Sequence, residues 1–110
     1  MNIQHKELAS GRWKQFSFVE QMANIGSEVE RFLNRRASNQ TEYSERAFFR
    51  ALELIDLTLD ANRQRARLRE IARVREALVD CFLDARTYDI PPDSWRKYFL
   101  AFAMAARKQR

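Results

Sequence analysis

The sequence predicts an all-α protein, an antiparallel four-helix bundle preceded by an N-terminal arm. Three observations carry that expectation. Two Gly and two Pro in 110 residues leave little turn-forming material. Four segments repeat apolar residues at helical spacing, and no segment shows the strict alternation of a strand. Four apolar stripes in a chain this short bury one another most simply as a single bundle. The expected division is residues 1–16 as arm and 17–110 as bundle.

The arm lacks clean periodicity but carries Trp13 and Phe16, so it is expected to pack on the domain or on a neighbour. Ser17 with Glu20 forms a capping-box pattern, which predicts a first helix from about Phe18 to about Asn34. Phe18, Met22, Ile25, Val29, Phe32 and Leu33 fall on its inner side, and Gly26 suits a close helix approach. The polar stretch RRASNQ ends that helix, and Thr41 or a neighbour is expected to cap the second. Its inner face carries Tyr43, Ala47, Ala51, Leu54, Ile55, Thr58 and Leu59, widened by Phe48 and Leu52.

A third helix is expected from about Asp60 or Asn62 to about Asp84, with Leu68, Ile71, Val74, Leu78 and Phe82 inward. The connection before it is short, so the second and third helices are expected as antiparallel neighbours. ARTYDIPPDS breaks the pattern because proline lacks the backbone donor, and a fourth helix is expected from about Asp93 to about Arg107.

That fourth helix is apolar nearly all round. Trp95, Tyr98, Phe99, Phe102 and Ala106 share one face, whereas Leu100 and Met104 point away from it. A small bundle shelters no helix completely, so Leu100 and Met104 are candidate self-association residues, with coverage by the arm as the alternative. Trp13 and Phe49 are candidate oligomer or partner contacts for a similar reason, Phe49 standing beside polar Arg46, Glu53 and Asp56.

The net charge is +5, and the arginines concentrate in the third helix. Arg63, Arg65, Arg67, Arg69 and Arg73 crowd its first half, while Asp80 and Asp84 occupy its end against the preference of the helix dipole. Arg65, Arg69 and Arg73 form one outward stripe at the positive pole, where guanidinium forks and bare N–H groups suit phosphate. Arg63, on another flank, and Arg67, near the core boundary, complete the candidate nucleic-acid-binding set. Arg75 differs, because it projects into the apolar arc. It is expected in a buried ion pair, with Glu28 one candidate partner.

Enzyme chemistry finds little footing. The single histidine, His5, lies in the arm, so neither a nucleophilic triad nor a bundle di-metal site can be assembled around it. Glu76, Asp80 and Asp84 recur every four residues, but such a row reads first as a solvated acidic face. Neither a Walker loop nor a dinucleotide-binding glycine motif occurs. Cys81, between Val79 and Phe82, reads as a reduced core thiol, and the expected location is cytoplasmic. No catalytic residue, metal ligand, cofactor or membrane span is expected, since no apolar run reaches the roughly 20 residues a span requires.

The combination of SFVEQMANIGSEVERFLNRR leading into EYSERAFFRALELIDLTL, four helices, a basic balance and an association-prone last helix resembles a family of small bacterial four-helix-bundle proteins. That family includes the accessory variability protein of diversity-generating retroelements and the ribosomal-RNA intervening-sequence proteins. The resemblance spans residues 17–108 as architecture and rests on no short motif. It implies a ring of bundles, pentameric in form, that binds RNA or DNA and supports a reverse transcriptase without chemistry of its own. The residues themselves leave a second reading open, a scaffold that binds only protein.

Overall fold

The computed structural model describes residues 11–109, and every element in it is helical. A 3-10 turn at Arg12–Gln15 precedes α1 (Phe18–Ala37), α2 (Thr41–Ala61), α3 (Arg65–Leu83) and α4 (Pro92–Lys108). His5 and Arg110 lie outside the described residues. None of the described helices is long and apolar enough to cross a membrane.

Local chemistry accounts for most of the boundaries. The capping box forms, with Glu20 N–H on Ser17 Oγ at 3.1 Å and Ser17 N–H on Glu20 Oε1 at 2.9 Å. α1 continues three residues beyond Asn34, then closes with left-handed Asn39 (φ 59°) and a Gln40 N–H bond to Arg35 O of 2.8 Å. Thr41 opens α2 as its first helical residue rather than as its cap. The cap is Gln40, whose side chain accepts from Arg35 Nη1 instead. α3 begins later than expected because Asn62 is turned inward, donating to Gln21 Oε1 (2.9 Å) and Thr58 O (2.8 Å). Pro92 occupies the first turn of α4, where a missing N–H costs nothing.

Pairing between helices gives the topology. Gln21 meets Asn62, Glu28 meets Arg50, and Phe32 meets Phe48, so α1 and α2 run antiparallel. Asp56 to Arg75 and Phe48 to Phe82 give the same relation for α2 and α3. Phe18 on Phe102 and Glu30 on Arg96 give it for α1 and α4. α1 also touches its diagonal neighbour α3 in parallel sense, through Arg67 over Phe18 and Arg36 on Cys81. This is the expected up-down-up-down bundle.

The core is centred on α1 and α2. Met22, Ile25, Ala51, Ile55, Ile71 and Leu78 have no solvent exposure. At one end Phe48 and Phe82 stack at 3.9 Å with Phe32 beside them, and Phe49 contacts both stacked rings edge-on. Phe49 is therefore half-buried against its own core. Gly26 brings α4 close: a Cβ there would lie 2.7 Å from the Cβ of Phe99.

Trp13 corrects a second expectation. It is 2 % exposed, and its Nε1 donates to Thr58 Oγ1 at 2.9 Å. Thr58 Oγ1 donates in turn to Leu54 O, while Gln21 Nε2 binds Trp13 O at 3.0 Å. Every polar atom in this buried chain has a partner, so the turn is locked onto α1 and α2 and Trp13 is not available to a neighbour.

Candidate nucleic-acid interface

α3 carries the charge outward because its inward stripe is narrow. Only Ile71, Val74, Ala77, Leu78 and Asp80 are buried along it. Arg65, Arg69 and Arg73 are exposed, and none makes a hydrogen bond or ion pair among the described residues. At four-residue spacing they stand about 6 Å apart along the axis. The N-terminus of α3 has no side-chain cap and no acidic residue in its first turn, so its N–H groups add to the positive potential.

The other two predicted arginines are engaged by their own chain. Arg63 Nη1 donates to the carbonyls of Asp60 (2.7 Å) and Asn62 (3.2 Å). Arg67 lies over the Phe18 ring at 5.0 Å. Both remain exposed, but the unpartnered row narrows to three.

Arg75 is not buried. Its side chain is 42 % exposed and Nε donates to Asp56 Oδ1 at 2.9 Å on the surface between α2 and α3. The long aliphatic stem crosses the apolar boundary and delivers the guanidinium to water. Glu28 is buried and pairs with Arg50 (3.0 Å) and Arg31 (2.9 Å) rather than with Arg75.

Beside the arginine row the bundle opens. α3 and α4 meet sparsely, and between them lies a groove of 940 Å³ walled by Val74, Ala77, Ile90, Pro91 and Trp95. Arg69 and Arg73 line it, so the row and the groove share a rim. Glu70 and Glu76 also line it, accepting from Tyr98 and Tyr88 hydroxyls respectively, each at 2.8 Å. Burial, reinforced by Glu70, pushes the Tyr98 phenol far above its ordinary range, and the bond to Glu76 raises that of Tyr88. Both phenols therefore stay protonated donors at neutral pH.

The groove's loop wall is held by Asp80. This buried carboxylate accepts the backbone N–H groups of Thr87 (2.9 Å) and Tyr88 (3.2 Å). Burial pushes its pKa up, but the backbone hydrogen bonds outweigh that and hold it below the usual carboxylate value. Asp84, Arg86 and Asp89 take left-handed backbone angles in the same loop. Arg86 is the costly one, since Asp tolerates that region better.

Trp95 is 4 % exposed, lines the groove, and has an indole Nε1 with no hydrogen-bond partner. An unmet buried donor of this kind costs about 1–3 kcal/mol. Trp95 also borders a second groove of 720 Å³ between α1 and α4, which reaches Leu100. Leu100 and Met104 are 53 % and 50 % exposed, pointing away from the core as expected. The described part of the arm packs on α1 and α2, and both residues stay exposed.

The acidic series disperses. Glu76 serves Tyr88, Asp80 serves the loop backbone and Asp84 pairs with Arg86 at 3.3 Å. Among the described residues no three His, Cys, Asp or Glu side chains gather as metal ligands would. Cys81 is half-buried, and burial raises its thiol pKa despite Arg36 nearby. Sequence periodicity missed the groove, the Trp13 clamp and the role of Asp80. The one legible signal was the position of Asp80, against the helix dipole. No protein-family model matches the chain, and comparisons with curated proteins and with solved structures likewise return no match.

Proposed function

We propose that this chain is a non-catalytic, nucleic-acid-binding accessory protein that assembles as a homo-oligomer through the outward face of α4. The observation that carries the reading is the unpartnered row of Arg65, Arg69 and Arg73 beside the uncapped start of α3. Elsewhere, the arginines Arg31, Arg46, Arg50, Arg75 and Arg96 are neutralised by carboxylates. Three cations left unpaired on one stripe match a polyanion better than they serve internal stability.

Replacing Arg65, Arg69 and Arg73 together with Glu should abolish nucleic-acid binding and leave the far-UV circular dichroism unchanged. Single Arg→Ala variants should each flatten the dependence of log Kd on log salt by about 0.7–0.9. Unchanged affinity in the triple variant would reject the assignment. It would favour the second reading, a protein-binding scaffold, for which the half-exposed Leu100 and Met104 speak.

A further inference from the structure

We propose that the groove between α3 and α4 seats an unpaired base of a single-stranded nucleic acid, with Arg69 and Arg73 holding the flanking phosphates at its rim. The proposal rests on the reading of α3 as a phosphate-binding surface and adds selection for single strands.

Charge decides how a strand would lie. Glu70, Glu76 and Asp89 line the groove, so a phosphate is repelled from its interior and stays at the arginine rim. A base is neutral and meets no such penalty. Its exocyclic amino groups suit the spare lone pairs of Glu70 and Glu76, and the Trp95 ring in the groove wall offers it apolar contact. Tyr88, 50 % exposed on the loop wall, offers an aromatic face for stacking. The volume of 940 Å³ is in the range of sites that hold small organic ligands. A duplex keeps its bases stacked and paired, so it reaches the rim but leaves the groove empty.

The test compares the full chain binding a mixed-sequence single strand, as RNA and as DNA, with the corresponding duplexes. For whichever sugar binds more tightly, Tyr88→Ala should weaken the single strand about tenfold and leave the duplex unchanged. Tyr88→Phe keeps the ring and should retain wild-type affinity, which separates stacking from the bond to Glu76. The indole N–H resonance that Trp95→Phe removes should shift on titration with single strand and stay put with duplex. If Tyr88→Ala binds normally while the triple Arg→Glu variant does not, the groove proposal fails and the phosphate surface stands. If both variants bind normally, both readings fail.

Discussion

Asp80 occupies the last turn of α3, where the helix dipole disfavours an anion. The loop that follows supplies the reason: Thr87 and Tyr88 N–H groups converge on the carboxylate and hold one wall of the groove. Because those bonds favour the charged form, the folded-state pKa lies below the ordinary value of 3.8. Asp80 therefore contributes stability that is present above that value and lost as pH falls through the lower folded one. Asp80→Asn should lower the denaturation midpoint at neutral pH, and the gap from wild type should close under acid. A gap that is independent of pH between 2.5 and 7, about the range over which such a carboxylate titrates, would contradict this role. Arg75 illustrates the opposite case. Helical phase places its Cα at the apolar arc, but a flexible stem lets the charge reach Asp56 at the surface, where an exposed pair contributes about 0–1 kcal/mol.

At the scale of elements, α4 is placed by a missing side chain. Gly26 lets α4 approach until the Phe99 Cβ and ring atoms lie 2.7–2.9 Å from where a methyl would stand. The nearest obstacle is a Cβ fixed to the α4 backbone, so no rotamer change relieves it. Gly26→Ala should force the helices apart and lower stability by about 1–3 kcal/mol in denaturant unfolding, despite alanine's better helix propensity. An unchanged or raised midpoint would show that α4 is free to slide. Displacement of α4 should also alter the groove, because Trp95 and Tyr98 travel with Phe99 on the same helix. The helices themselves were legible from periodicity, and their ends shifted where tertiary partners intervened. Asn62, buried against Gln21 and Thr58, ends α2 and delays α3. That bond joins residues 41 apart in sequence, beyond the reach of any local pattern.

At the scale of the molecule, the arginine row and the exposed pair Leu100 and Met104 lie on different helices. The unpartnered arginines look outward from α3, and Leu100 and Met104 look outward from α4. An oligomer joined through α4 would keep the arginine row of every subunit accessible and repeat it around the assembly. Leu100→Asp with Met104→Asp should reduce the native mass to that of one chain in sedimentation while preserving helical content. Wild-type protein that already sediments at 13.1 kDa would end the interface assignment. Multiplying the row would also raise nucleic-acid avidity without any new contact, so the dispersed variant should bind more weakly than wild type.

Runs of neighbouring residues are enough to specify the helices, their antiparallel order, the capping box, the outward row of Arg65, Arg69 and Arg73, and the outward Leu100 and Met104. All of these follow from periodicity and short-range chemistry, which are written in consecutive residues. Long-range packing is what buries Trp13 in the core and sets Phe49 half-buried against it, pairs Arg75 with Asp56, and parts α3 from α4 to leave a groove. Those outcomes depend on side chains distant in sequence competing for the same space and the same hydrogen bonds. A helical phase angle specifies where a Cα faces, not what will be waiting there.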